Sequence, residues 1–185
     1  MIWPFGHTEK EMKRKDVFLR TLLNTDAPAM LEWMHNPEVQ KSFGKNFNSM
    51  TIEDCQRFIK LNQMLETDDV NFAISSEDNK YVGTVSLKHV DHKTKSAEFA
   101  IVVHPDYHRQ GVASQAMAQI AKYGFKVMGL ECIFLNVKKS NVAANRTYQK
   151  FGCVETTEKE LRDKGIRLHL PETDEEMNWY IVPTG

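Results

Sequence analysis

Between residues 70 and 103 apolar side chains recur at every second position, and from residue 112 they return at helical spacing. A chain that changes period in this way combines a sheet with helices: period two buries one face of a strand, and period 3.6 buries one stripe of a helix. Val70, Phe72 and Ile74 alternate, Tyr81-Val-Gly-Thr-Val-Ser-Leu87 follows the turn-prone Glu77-Asp-Asn-Lys80, and Glu98-Phe-Ala-Ile-Val-Val103 runs up to Pro105. Three such runs joined by charged turns predict an antiparallel meander. Ala113, Ala116, Met117, Ile120, Ala121, Gly124 and Met128 then share one face of a helix that begins at Val112.

The flanks continue the mixture. Val17 and Leu19 mark a short first strand. Asp26 precedes a helix over 27–36 that should stop before Pro37, because the residue before a proline avoids helical geometry. Thr51 with Asp54 three residues on reads as a second helix start, carried forward by Cys55, Phe58, Ile59 and Leu61 or Met64. A strand over Ile133, Leu135 and Val137, a helix stripe of Ala144, Thr147, Tyr148 and Phe151, and a last strand over Asn178–Val182 complete the order. Interleaved elements predict an α/β (α+β) sheet covered by helices, not a bundle or a sandwich.

No repeat, low-complexity tract or linker divides the 185 residues, so one domain over residues 1–185 is expected. The formal charge of −1 disfavours a nucleic-acid partner held by a general basic field. It is unevenly spread: residues 155–185 hold 4 basic and 8 acidic side chains, leaving 20 and 17 to residues 1–154. Cys55, Cys132 and Cys153 are too widely spaced for a CxxC-type zinc site and odd in number, which fits a reducing compartment. With no apolar run near membrane-spanning length and a charged N-terminal stretch, a cytoplasmic protein with no membrane partner is expected.

Two segments carry the chemistry. His108-Arg-Gln-Gly-Val-Ala113 joins the end of a strand to the start of a helix, where unpaired N–H groups and the positive end of the dipole can cradle a phosphate. Gly111 removes a side chain from the approach and Arg109 adds a charged donor. By itself this is also ordinary loop chemistry. In Asn141-Val-Ala-Ala144-Asn-Arg-Thr-Tyr148-Gln-Lys-Phe-Gly152-Cys153, Asn141 can cap a helix and Gly152 can end it, while Tyr148 alone reads as a half-buried core tyrosine.

Together the two segments resemble the GNAT superfamily of N-acetyltransferases, closest to the branch of ribosomal-protein N-terminal and spermidine acetyltransferases. The family loop (Arg/Gln)-x-x-Gly-x-(Gly/Ala) falls on His108, Gly111 and Ala113, with His108 in place of the usual Arg or Gln. The later motif falls on Asn141, Ala144, Tyr148, Lys150 and Gly152, with Cys153 in place of Phe, and Trp33, Asn36, Pro37 and Val39 match the branch's early pattern. The resemblance spans about residues 16–182 and implies a mixed, mostly antiparallel sheet of about seven strands with about four helices, splayed between strands 4 and 5.

It also implies an acetyl-CoA co-substrate and no metal. Its pantetheine arm would pair with the backbone of Ile101, Val102 and Val103, its pyrophosphate would sit over His108, Arg109, Gln110, Gly111, Val112, Ala113 and Ser114, and Asn141 would meet the arm. Tyr148 would hand a proton to the leaving thiolate. Some relatives use a glutamate base where Asn136 stands here, so the amine would be deprotonated by a water chain or by another base; Glu98 is the candidate, with an edge carboxylate in a salt bridge as its other reading. Residues 41–47, with Lys41, Phe43, Lys45 and Phe47, would be a loop lining the acceptor site. The acidic run Glu172–Glu176 would suit a cationic acceptor if it faced the cleft, or be a solvated turn. His89 and His92 read as a solvated turn beside Lys88 and Lys93. The expected activity is direct acetyl transfer to a primary amine of a polyamine, an amino sugar or a protein N-terminus, by a monomer or homodimer. A non-catalytic acyl-CoA-binding module on the same fold is the alternative.

Overall fold

The computed structural model describes residues 16–43, 46–64, 68–170 and 173–184. Its strands are β1 (Val17–Thr21), β2 (Val70–Ser76), β3 (Tyr81–Asp91), β4 (Ser96–Val103), β5 (Cys132–Lys138), β6 (Val154–Thr156) and β7 (Met177–Ile181). The helices are α1 (Ala27–Met34), α2 (Pro37–Phe43), α3 (Ile52–Gln63), α4 (Val112–Lys126), α5 (Val142–Phe151) and α6 (Glu158–Asp163). One seven-stranded sheet runs in the order β1-β2-β3-β4-β5-β7-β6. Every pairing is antiparallel except β4 with β5, which is parallel.

That parallel pairing lasts only three residue pairs, Ser96↔Cys132, Ala97↔Ile133 and Glu98↔Phe134. Beyond them β4 runs on to Val103 and β5 to Lys138 without meeting, so the sheet opens into a V. The expected splay between the fourth and fifth strands is present.

The alternation of each strand divides the core between two faces. Ala97 and Phe99 of β4, Ile133 and Leu135 of β5 and Tyr180 of β7 face α4, whose Val112, Ala116, Met117 and Ile120 are buried against them. The opposite face carries two separate clusters. Trp33, Met34, Cys55 and Ile59 of α1 and α3 cover Ala73 and Val102, while Leu161 of α6 with Ile166 and Leu168 covers Phe134 and Trp179. A trough lies between the two clusters along β4 and β5.

Two helices were not legible beforehand, and a helix replaces the expected loop. Asn36 Oδ1 accepts from the N–H of Glu38 at 2.9 Å, and Pro37 is the first residue of α2. This is the asymmetry that favours proline at a helix start, so Pro37 ends one helix by opening the next. Val39 is buried beneath α2. Lys41 is therefore helical, Phe47 stands edge-on to Trp33 at 6.5 Å, and Lys45 with the Phe43 side chain lies outside the described residues. On α3 the Thr51–Asp54 capping box forms as expected, but only Cys55 and Ile59 are buried, while Phe58, Leu61 and Met64 are exposed. The second unforeseen helix, α6, starts at the Thr157–Glu160 capping box.

Candidate active site

The strand directions determine which backbone groups of β4 reach the gap. The N–H of His104 donates to Val82 O across β3, so by alternation Val102 also pairs toward β3, while Ile101 and Val103 point away from it. Of the three residues expected to bind through their backbone, Ile101 and Val103 fit and Val102 does not; its main chain belongs to the β3 ladder and its side chain to the α1–α3 core. His108 also departs from expectation. Its Nε2 lies 2.8 Å from Val103 O, the distance at which an Nε2–H donates to that carbonyl, so the ring is tied to the end of β4.

From His108 the chain enters α4 through two left-handed residues, Arg109 at φ 61° and Gly111 at φ 78°. Gly111 is the N-cap and offers no side chain, so the N–H groups of Val112, Ala113 and Ser114 open outward without a capping side chain. Left-handed geometry is strained at Arg109, as residues at binding loops often are. Gln110 Nε2 donates to Asp106 O at 2.6 Å and steadies the approach. An exposed arginine, a bare helix N-terminus and a neighbouring strip of gap-facing β4 backbone fit a polyphosphate joined to an amide-bearing arm.

Asn141 caps α5, its Oδ1 accepting from the N–H of Ala144 at 3.1 Å, and Gly152 ends the helix at φ 92°. Between them Tyr148 turns inward, edge-on to Phe99 of β4 at 6.2 Å and beside Tyr180 of β7 at 6.0 Å. Every fully buried side-chain nitrogen and oxygen among the described residues has a hydrogen-bond partner, and the Tyr148 hydroxyl makes no such bond among them. The ring is therefore packed while its oxygen is not fully enclosed, and it lies against Phe99, the residue after the last β4–β5 pair. Burial pushes its pKa far up, which keeps the proton on the hydroxyl.

On the trough side of the same parting lies Glu98. Asn136 of β5 donates its Nδ2–H to Glu98 Oε1 at 2.9 Å. Burial raises the pKa of the Glu98 carboxyl, against smaller opposing effects from the Lys88 charge and the Asn136 hydrogen bond. Among the described residues no lysine or arginine lies within ion-pair distance of Glu98; the group within reach is the His89 imidazole, whose Nε2 stands 3.9 Å from Oε2 and whose protonated form burial disfavours. His89 thus belongs to β3 and not to a turn, although its side chain is exposed as expected; His92 lies in the solvated turn, 3.1 Å from Asp68. Two members of the acidic run are paired with neighbouring side chains. Glu175 binds Lys138 at 2.7 Å and Ser140, Glu176 binds Lys139 at 2.8 Å, and Glu172 lies outside the described residues.

Two recesses elsewhere, of about 390 Å³ beside Trp179 and about 480 Å³ beside Arg20, include neither Tyr148 nor Glu98. Tyr148, packed on Phe99, and Glu98, bonded to Asn136, lie instead on the two faces of the sheet beside the point where β4 and β5 diverge. A buried asparagine stiffens one wall. Asn145 Nδ2 donates to Lys138 O and Asn141 O, and its Oδ1 accepts from Asn178 Nδ2 and the Tyr180 hydroxyl, all at 3.0 Å or less. Its spacing of four from Asn141 is the only trace of this role in the sequence.

Splayed β4 and β5, a glycine-capped α4 and an inward tyrosine on α5 are the parts of an acetyltransferase fold, and the chain belongs to the GNAT acetyltransferase family, whose domain model matches residues 16–154. Among curated proteins it is 31% identical over 140 residues to the uncharacterized N-acetyltransferase YoaA of Bacillus subtilis, covering 74% of this chain and 78% of that one. It is 26% identical over 156 residues to the spermidine N(1)-acetyltransferase of Escherichia coli, covering 80% and 74%. Among solved structures, spermidine N-acetyltransferase from Vibrio cholerae in complex with CoA and spermine superposes with a TM-score of 0.73 at 18% identity, over 90% of this chain and 94% of that one. Among the described residues no helix is long and apolar enough to cross a membrane.

Proposed function

We propose that this chain is an acetyl-CoA-dependent N-acetyltransferase that moves acetyl directly to a primary amine of a small molecule, with Glu98 as base and Tyr148 as acid. The observation that carries it is the placement of a raised-pKa carboxyl and a protonated phenol on opposite faces of the sheet, at the point where β4 and β5 separate. The bound co-substrate supplies an acetyl thioester. The N–H groups of Val112, Ala113 and Ser114, with Arg109, Gln110 and Gly111, hold its phosphates, and the gap-facing backbone of Ile101 and the Val103 N–H hold its arm. Asn141 flanks that arm. His108 acts indirectly, by fixing the end of β4.

An ammonium acceptor must lose a proton before it can attack, and a carboxylate whose pKa burial raises is a better proton acceptor for that task than an exposed one. Glu98 takes this proton; the Tyr148 hydroxyl then protonates the departing sulfur and is restored by the second proton that the attacking nitrogen sheds as the C–N bond forms and the C–S bond breaks. A polyamine acceptor is favoured over a protein N-terminus or an amino sugar by the names of the relatives, the spermidine acetyltransferases among them. Reading the fold as a non-catalytic acyl-CoA-binding module leaves the Tyr148–Glu98 arrangement without a purpose.

The test is thiol release from acetyl-CoA with spermidine, an amino sugar and an N-terminal peptide, and the mass of the product. One amine gaining 42 mass units (about one acetyl for one proton) with stoichiometric thiol supports the reading. Thermal stabilisation by CoA without turnover on any amine would make the chain a binding module. The same relatives include one solved as a dodecamer, so the expected monomer or homodimer is to be checked by light scattering.

A further inference from the structure

We propose that His89 is a positioning residue that acts through Glu98, carrying the proton taken from the acceptor ammonium out to solvent. The proposal rests on the acetyltransferase reading above, and three observations independent of that reading point to it. First, β3 carries a bulge opposite this site: the register passes from Lys88↔Glu98 to Asp91↔Ser96, so His89 and Val90 together face the single residue Ala97. Val90 keeps the core-facing place, packing on the α4-side cluster, and His89 is turned out to the face of Glu98. Bulges beside active sites commonly re-aim one side chain in this way. Second, His89 holds φ 52°, a left-handed conformation that is strained outside glycine and persists where the surroundings enforce it. Third, its ring is stacked on His169, with centroids 3.7 Å apart and 12° between planes, which fixes its orientation from the segment after α6.

The chemistry requires an exit. Ammonium plus acetyl thioester gives amide, thiol and one proton released per turnover, so the base must be emptied each cycle. The ammonium N–H proton passes to the Glu98 carboxylate and leaves Glu98 Oε2 for the lone pair of neutral His89 Nε2; the imidazolium then gives up its Nδ1 proton to water. Asn136 occupies Oε1, which leaves Oε2 for this traffic. The 3.9 Å between Oε2 and Nε2 is one small ring movement or one water from a hydrogen bond. Side-chain exposure rises from 17% at Glu98 to 37% at His89, so the path leads outward. Besides Glu98, the charged and titratable groups facing His89 are His169, Asp69 and Lys88; burial first, then His169 and Lys88, disfavour its protonated form, and Asp69 favours it. That balance keeps the imidazole able to accept.

The test uses the whole chain with spermidine, or whichever panel amine the wild type acetylates, and His89→Asn, which tolerates the left-handed backbone. In dilute buffer, turnover of the variant should fall about tenfold, within the usual weight of a proton-transfer group, with its CoA-dependent thermal shift unchanged. Added imidazole should restore the rate in a saturable way and leave the wild type unaffected. Wild-type turnover by His89→Asn in dilute buffer, or a loss that imidazole and other buffers do not repair, overturns the relay while the enzyme reading stands. A wild-type chain that acetylates none of the amines overturns both.

Discussion

Asn136 Nδ2 lies 2.9 Å from Glu98 Oε1, tying β5 two residues beyond the last Cα pair of their shared ladder back to the β4 member of that pair. The contact spans the base of the cleft. It also explains why an amide suits position 136 once Glu98 is the base. A carboxylate there would set two like charges at hydrogen-bond distance and hold one of them protonated. Asn136→Asp should therefore move the acidic limb of the kcat/KM profile upward by one unit or more, and Asn136→Leu should move it upward by less, through loss of a donor to the charged form. A pH–rate series on the three proteins checks the order.

Glu98 carries a cost in stability. Its folded pKa is raised, so the neutral form is favoured by folding, and that contribution is full at low pH and lost as pH rises through the folded value. Above that value the buried charge destabilises the fold. Glu98→Gln should thus raise Tm at pH 8 relative to wild type, with a smaller or absent gain at pH 4, while turnover falls about a hundredfold or more. Thermal melts at the two pH values read the sign directly.

Tyr148→Phe separates packing from chemistry. The ring contacts with Phe99 and Tyr180 survive the loss of the hydroxyl, so Tm and CoA binding should change little. Thiol release should slow about a hundredfold or more. Because burial raises the phenol pKa, no basic limb from Tyr148 is expected below pH 10 in the wild type. Equal losses of binding and turnover would return Tyr148 to the core.

What the sequence made legible was whatever has a local physical signature. The switch of period at Val112, the Thr51–Asp54 box, Asn141 as cap and Gly152 as terminator all appear where they were expected. The start of α2 had a signature too, in Asn36-Pro37, but the same proline also reads as an end. Other features were beyond local reading because they depend on register. The parity of β4 that turns Val102 toward β3 and Ile101 toward the gap is set by pairing across strands. So is the β3 bulge that moves His89 from a presumed turn to the side of Glu98, and so is the partnership of Lys138 with Glu175 across 37 residues. The early motif shows both kinds. Val39 could be anticipated as apolar, whereas the bond from Trp33 Nε1 to the Tyr81 hydroxyl at 2.9 Å needs α1 to be laid across β3.

Gly83 offers a test of how the cleft is held open. It pairs with Val103, and a Cβ built on it would collide with Val102 O, a backbone atom that no side-chain rotation can clear. Gly83→Ala must therefore push β3 and β4 apart near the end of β4 that carries the Val103 N–H and the His108 bond. The expected cost is about 1–3 kcal/mol of stability, as for other forced overpacking. CoA-dependent thermal stabilisation should shrink as well, because the gap-facing backbone of Ile101 and Val103 is displaced along with the strand. Gly124→Ala is the control, since its Cβ would meet only the side-chain ends of Ile133, Leu87 and Leu130. That variant should lower Tm and keep the CoA shift. If the two glycine variants lose the shift in equal measure, the opening of β4 is not what binds the arm.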